Sequence, residues 1–396
     1  MTTADAIPLI DTDALPMGVA RDHAWRATQV APLIAIADGY AVTTRRGAEE
    51  VLKHPDPFSS AKAFEFLQSP VPLVPIAYDP PTQTRYRQIL QPFFSPRVIK
   101  PLEAELRRQI IALIDPIARR GHCDYVSEVA QTFPIQAFLT FFGLPLEMRD
   151  QFWEWKKAVI GLASAGFGAE GDAAQDGIAK ALEMYTYFTE LIPQRRSERG
   201  ADILSQILAQ QPPNDLTDPE AVGLCFLFTL AGLDTVTDTL SCGMQRLAER
   251  PDKRQEIIDD PALIPAAVEE LVRLDPPAPF IPRVTSTDAQ IDSVRLPPET
   301  RVTTYLGAVN RDPAVFENPY DIDFRRPENP HISFGLGPHR CLGSHLARLE
   351  LAIVYDEWHK RIPHYRIKPG TTPKVHWPHG TIELESLHLE FDKAEG

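Results

Sequence analysis

One stretch of the sequence gathers residue types that chemistry needs: Phe334-Gly335-Leu336-Gly337-Pro338-His339-Arg340-Cys341-Leu342-Gly343. Gly335 and Gly337 allow backbone angles that other residues resist, and Pro338 stiffens the loop. Cys341 then stands at the mouth of a helix whose apolar positions Leu342, Leu346, Leu349 and Ile353 keep a helical period. Amides at a helix start and the helix dipole favour negative charge, so the setting favours a thiolate over a thiol. His339, Arg340 and Arg348 add positive charge, and Gly343 leaves room for a flat ligand against the backbone. A thiolate held this way can attack a substrate, exchange disulfides or bind a metal. No second cysteine lies nearby to resolve a disulfide, which weakens exchange. Metal ligation needs donors to the sulfur, and the loop can supply them. A buried structural cysteine is the plain alternative; the ten-residue setting argues against it.

A second reactive group lies in the most apolar helix expected, which starts near Asp218 and runs to about Arg250: Ala231-Gly232-Leu233-Asp234-Thr235. Asp and Thr in mid-helix are costly unless they have partners or a task. Asp234 as a helix cap is the alternative, but the apolar run LCFLFTL before it places it inside the helix. Ala231 and Gly232 open one face. Thr235 can bond back to the carbonyl four residues earlier and widen the helix locally, making a groove on that face. Further on, Glu270 and Arg273 stand at i and i+3 of one helix, where side chains meet. Alone, that spacing describes an ordinary solvated pair.

Helices must carry most of these groups. Periodicity predicts them near 86–97, 99–119, 123–142, 147–166, 174–198, 218–250, 253–258, 263–274 and 342–360. Strands are expected at GYAVTT (39–44) and, past Pro276, in VTSTDAQI, RVTTYLGA and IELESLHLEF. The fold class is therefore mainly α with a minor β-rich region. The chain has 38 prolines in 396 residues, a share high enough to punctuate it into helices and irregular connections. Reactive residues are spread from 79 to 348, which favours one site in one large domain, 1–396. Lys and Arg total 40 against 54 Asp and Glu, a formal net charge of −14, which argues against a general nucleic-acid binder. The longest apolar stretch, residues 224–233, is about half a membrane span. The start MTTADAIPLIDTDALP lacks the basic and apolar regions of a signal peptide. Cys123, Cys225, Cys242 and Cys341 form no CxxC pair and fit a reducing compartment. A cytoplasmic protein with no membrane partner is expected.

The cysteine loop resembles the haem-binding loop of the cytochrome P450 family of haem-thiolate monooxygenases. That pattern is Phe, two residues, Gly, three residues, Cys, one residue, Gly; Phe334, Gly337, Cys341 and Gly343 meet it. Residues 231–235 are similar to the family's oxygen-activation motif, and Glu270 with Arg273 to its ExxR pair. Asn310-Arg311-Asp312-Pro313 and Phe316 resemble the segment ahead of the loop. Asp79-Pro80-Pro81 with Gln83, Arg85 and Arg87 resembles the DPP…R…R segment. The motifs stand in the family's order, and the resemblance covers the chain from about residue 39 to the end.

The resemblance implies the P450 fold, with haem b between a long distal helix and the helix after Cys341. Residues 1–38 would pack on it as an extension, and strand-rich parts would fall near 39–44, 284–306 and 375–391. It implies Cys341 as axial ligand of the haem iron, since thiolate ligation favours O–O cleavage. Phe334 would shield the sulfur, and Ala231, Gly232, Gly335, Gly343 and Ala347 would line the cofactor. Haem propionates need cationic or hydrogen-bonding partners; Gln83 and Arg87 fall on one side, Arg283 and His339 on the other. Thr235 and Asp234 become the catalytic pair, with Asp234 relaying protons, while Glu270 and Arg273 lock the scaffold. The substrate walls fall on Val71, Leu73, Val74, Ile76, Leu227, Leu230, Ala231, Phe280, Ile281, Thr381 and Ile382. Gln83 resembles the bacterial camphor hydroxylase branch. That branch has an acid before the arginine, where Pro282 stands, and a camphor-binding tyrosine where Val71 stands. The implied reaction is insertion of one atom of O2 into a small lipophilic substrate: a terpenoid, norisoprenoid or aromatic. With no Gly-rich dinucleotide fingerprint and no length for a flavin domain, a separate electron donor is expected, and the resemblance implies an iron–sulfur ferredoxin with an NADH-dependent reductase. Its docking on an acidic protein needs a local basic patch, for which Arg87, Arg340 and Arg348 are the candidates. A peroxide-driven hydroxylase or dehydratase, a non-catalytic haem sensor and a haem-free helical binding protein are the alternatives.

Overall fold

The longest helix sets the layout. In the computed structural model, which describes residues 7–18, 20–65, 71–165, 171–198, 200–377 and 380–393, it spans Asp218–Glu249. It begins at a capping box: the Glu220 amide donates to the Thr217 hydroxyl, and the Thr217 amide to the Glu220 carboxylate at 2.7 Å. Leu224, Cys225 and Leu233 of this central helix lie in a core with Phe138, Phe142, Phe152 and Trp155. Val236, Leu240 and Met244 lie in a second core with Trp25, Tyr125, Tyr355 and Trp358. The changeover falls across Asp234 and Thr235. The helix runs unbroken through them. Backbonding hydroxyls are accommodated within its regular ladder, as when Thr239 donates to the Thr235 carbonyl at 2.7 Å.

Helices Arg149–Ala165 and Asp172–Ser197 pack on each other and on the central helix. The helix after the cysteine loop, Ser344–Arg361, packs on Glu103–Arg120, Ile264–Leu274 and the central helix. A five-stranded sheet runs in the order Leu33–Ile36, Gly39–Val42, Arg301–Tyr305, Phe280–Thr285, Phe58–Ser59. Its one parallel pair sets Tyr40 opposite Val302, and Arg283 faces Val302 from the other side. Among the described residues only the central helix is long and apolar enough to cross a membrane; 56 % of that window is buried, as befits a core helix.

Several boundaries differ from the sequence pattern for identifiable reasons. The helix expected over 86–97 starts earlier, as Thr82–Leu90, and Pro92 and Pro96 divide the remainder into two short turns. The helix expected over 123–142 opens instead as a strand, His122–Asp124, paired with His388–Phe391. One π-helical turn, Val126–Ala130, then leads into Thr132–Phe142. VTSTDAQI is split between strands Phe280–Thr285 and Ala289–Ile291, and RVTTYLGA ends its strand at Tyr305 before a helical turn. IELESLHLEF likewise gives two strands, Glu383–Leu384 and His388–Phe391. Residues read as an N-terminal extension supply a helix, Arg21–Thr28, and the edge strand Leu33–Ile36. Residues 1–6 and 19 of that segment, and 378–379 of the last strand-rich part, lie outside the described residues.

Candidate active site

The cysteine loop is closed by the Cys341 amide, which donates to the Phe334 carbonyl at 2.7 Å. Gly335 and Gly337 both take left-handed angles, φ +70° and +66°. At Gly337 a Cβ would come within 2.2 Å of the Leu52 carbonyl, so that position accepts only glycine. The following helix begins at Ser344 with Gly343 as its cap. Cys341 is exposed to the space beside the loop, yet the protein around it raises its thiol. The Gly343 amide donates to the sulfur and draws it back, and Arg87, Arg340 and Arg348 add to that pull, but the net shift is upward, against the thiolate that the loop's pattern predicts.

The loop is clamped from beneath by the helix Ile264–Leu274. The Ser333 hydroxyl donates to the Val272 carbonyl at 2.7 Å and accepts from the Asn310 amide nitrogen at 2.7 Å. Glu269 accepts two bonds from Arg348, at 2.6 and 2.8 Å, and meets His331 Nε2 at 2.9 Å. The Arg348 guanidinium also lies 4.3 Å from the centre of the Phe334 ring. Arg348 is thus tied to the loop through Glu269 and Phe334, with its side chain 28 % exposed. Glu270 and Arg273 are wholly buried and bidentate, at 2.7 and 2.8 Å. Arg273 also donates to the carbonyls of Asn310 and Pro319 at 2.9 and 2.7 Å. The solvated-pair alternative is excluded by that burial.

Above the loop stand two arginines, Arg87 and Arg283, and the neutral imidazole of His339. Among the described residues none of them has a carboxylate partner within salt-bridge distance. Arg283 is 4 % exposed and bonds only the Pro282 carbonyl, at 2.7 Å. Burial lowers its pKa to about 10, against the pull of Asp79. His339 Nε2 is buried without a partner, and burial with the nearby Arg283 pushes its pKa down to about 3. Burial lowers Arg87 too. Asp79 does not serve them directly: it accepts from the Ser59 hydroxyl and the Ser60 amide. Buried cations without anions call for an anionic ligand. A Cβ on Gly343 would meet nothing within 4 Å. Both observations fit a flat group with carboxylate arms, namely haem. Gln83 is buried and donates to the Pro338 carbonyl at 2.6 Å, tying its helix to the loop.

On the central helix Ala231 and Gly232 are exposed, although Thr229 and Leu233 beside them are fully buried. This accessible notch lies inside the fold. Thr235 donates to the Ala231 carbonyl at 2.9 Å, as its type and position suggest. Asp234 forms an ion pair with Lys156 from the helix Arg149–Ala165; the two side chains are 15 % and 5 % exposed. Lys156 also stands 4.5 Å from the Trp153 ring centre. Burial raises the Asp234 carboxyl more than Lys156 lowers it. One turn on, Asp238 is 2 % exposed and takes a bond from Thr381. Lys156 and Asp238 are not among the residues the sequence patterns single out. Lys156 falls beside Phe152, Trp155 and Val159 on the buried face of its helix, and a lysine on that face is the signal that was there to be used.

Of the expected substrate walls, Leu227, Leu230, Ile76 and Ile281 are half-buried. Val71, Leu73, Val74 and Ile382 are buried in the cores. Phe280 packs against Trp25, Tyr305 and Trp377. The 71–76 segment is pinned to the central helix at Gly223, where a Cβ would fall 1.8 Å from the Pro72 carbonyl. Phe334, Gly335 and Ala347 are half-buried around the loop.

The arrangement of long central helix, clamped thiol loop and buried cations is that of a haem-thiolate protein. Residues 168–357 match the family model for cytochrome P450. A Sinorhizobium fredii protein described as "Probable cytochrome P450 127A1" is 33 % identical over 86 % of this chain and 80 % of its own. The steroid C26-monooxygenase of Mycobacterium tuberculosis is 29 % identical over 99 % of this chain and 98 % of its own. The crystal structure of CalO2 superposes with a TM-score of 0.88, at 26 % identity, over 96 % of this chain and 98 % of that one. The chain belongs to the cytochrome P450 family; it is a monooxygenase whose cofactor is haem b.

Proposed function

We propose that this protein hydroxylates a small lipophilic molecule (a terpenoid, norisoprenoid or aromatic) in the cytoplasm, drawing electrons from an iron–sulfur ferredoxin served by an NADH-dependent reductase. Haem, when bound, supplies the oxygen chemistry; the protein supplies ligation, protons and substrate position. The observation that carries the reading is Cys341: a lone sulfur, given a hydrogen bond by Gly343, on a loop with unpaired cations above it. Cys341 would hold the haem iron through its sulfur, Phe334 would shield that sulfur, and Gly335, Gly343, Ala347, Ala231 and Gly232 would leave space for the ring. Arg87, Arg283, His339 and Gln83 take the propionates. The Thr235 hydroxyl and the Asp234 carboxyl hold and pass the proton at the distal face. Leu227, Leu230, Ile76 and Ile281 offer the accessible apolar surface for substrate, and the relative named for acting on a steroid supports a lipophilic one. Arg340, exposed, is the docking cation left once Arg87 serves the propionates and Arg348 pairs with Glu269.

The test is the carbon monoxide difference spectrum of the reduced, haem-loaded protein. A thiolate-type band is expected for the wild type, and its loss in Cys341→His. A band unaltered by that substitution overturns the assignment. Turnover with NADH and a ferredoxin, and little with peroxide, is expected to separate the reading from a peroxygenase.

A further inference from the structure

Three carboxyls and one ammonium meet at the distal side of the central helix. Asp234 is paired with Lys156. Asp238 lies four residues on, so the two carboxyls share one helix face about 5–6 Å apart at their Cβ atoms. Glu383, half-buried on the strand Glu383–Leu384, faces both, and the Thr381 hydroxyl bonds Asp238. Cys242, one turn further along, is a buried thiol. The other oxygen of Asp238, Oδ2, is buried and meets no donor. An ionised carboxylate there would need donors or a cation of its own, and the single cation is engaged by Asp234.

We propose that Asp238 is the proton reserve of this site: a neutral carboxylic acid that returns a proton to Asp234 after Asp234 has passed its own to Thr235. The inference rests on the reading of Asp234 as the proton-passing group. In the step, the O–H bond of Asp238 breaks and an O–H bond forms on the Asp234 carboxylate. One negative charge moves from Asp234 to Asp238, and the net charge beside Lys156 is unchanged. The Asp238 carboxylate then regains its proton from water by way of Glu383, a half-buried carboxyl where Asp238 itself is buried. Burial raises Asp238 far above an ordinary carboxyl, and the charges of Asp234 and Glu383 add to it. Asp238 is thus a positioning residue acting through Asp234, and one of its oxygens is fixed by the hydroxyl of Thr381.

The experiment is infrared difference spectroscopy on the haem-loaded protein at pH 7, wild type against Asp238→Asn. A carboxylic-acid C=O stretch present in the wild type and absent in the variant is expected, and in Thr381→Val the same band should persist at higher frequency. Coincident wild-type and Asp238→Asn spectra in that region overturn the proposal. So does an Asp238→Asn protein that shows the band difference but couples NADH use to product as the wild type does at every pH. The expected coupling loss is about tenfold at pH 8, where reprotonation is slow, and smaller at pH 6. Should Asp238→Asn lose haem, Thr381→Val carries the infrared test alone, and an unshifted spectrum there counts against the proposal. Unchanged coupling in Asp234→Asn, with the Asp238 band in place, overturns the reading of Asp234 while leaving the protonation of Asp238 established.

Discussion

The two sides of the cofactor site are built by different means. The proximal side is a contiguous loop, residues 334–343, whose angles come from its own glycines and which is held by the helix beneath it and by Gln83 of the helix Thr82–Leu90. Every ionised group in that clamp has a partner: Glu270 with Arg273, Glu269 with Arg348. The distal side draws Lys156, Asp234, Asp238 and Thr381 from three separate segments, and its charges do not balance. A ligand to iron must stay in place through every turnover, so a fully satisfied, stiff mount suits it. A group that moves protons needs two protonation states of similar free energy, and an unbalanced buried cluster provides that.

The contrast is broken most severely at Arg273. Arg273→Ala leaves Glu270 buried among fewer donors and frees the carbonyls of Asn310 and Pro319. The expected loss is about 3–5 kcal/mol, read as a fall in the denaturation midpoint together with haem retention. A loss near 1 kcal/mol would show that the clamp is not what holds the loop.

How much of this was legible in the sequence follows from the same contrast. The loop was readable because its residues are contiguous, and Gly337 announces the tight approach to Leu52 by its type alone. The central helix was readable from its run of apolar residues, whereas the Thr217–Glu220 capping box that starts it was not singled out. Glu270 and Arg273 have the same spacing whether solvated or buried, so only packing distinguishes them. Lys156 and Asp234 meet across helices far apart in the chain, and no local pattern states which lysine finds which acid. Pro92 and Pro96 do show where the helix expected over 86–97 must break, whereas the strand His122–Asp124 is decided by a partner at the far end of the chain, His388–Phe391.

Lys156→Met gives the middle effect. Unlike Arg273, the lost cation leaves behind a carboxyl that can discharge by taking a proton, and the methionine stem keeps most of the packing against Trp153. The expected stability loss is about 1–2 kcal/mol, smaller than at Arg273. The pH dependence should move more than the stability. Lys156 lowers the Asp234 pKa, so its removal lets Asp234 keep its proton to higher pH. The limb of the coupling profile set by Asp234 is expected to shift upward, measured as product formed per NADH across pH; an unshifted or downward limb would remove Asp234 from the proton path.

The smallest effect sharpens the comparison from the proximal side. Arg348→Lys keeps the charge and loses the two-pronged grip on Glu269, while His331 still reaches the same carboxylate. A loss of about 0.5–1 kcal/mol is expected at pH 7. Its pH dependence has a definite sign. Burial raises Glu269, but the bonds from Arg348 and His331 outweigh it and hold the carboxyl at about 2. A depressed folded-state value means that the stabilisation is present above the ordinary carboxylate range and fades as pH falls toward about 2. The gap between wild type and Arg348→Lys should therefore be widest at neutral pH and close below about pH 2, where Glu269 is protonated in both. Chemical denaturation at pH 7, 4 and 2.5 reads this as two lines converging toward acid. Lines that stay parallel would mean that Arg348 acts through its stacking on Phe334 and not through Glu269, and the proximal mount would then owe its stiffness to packing more than to paired charge.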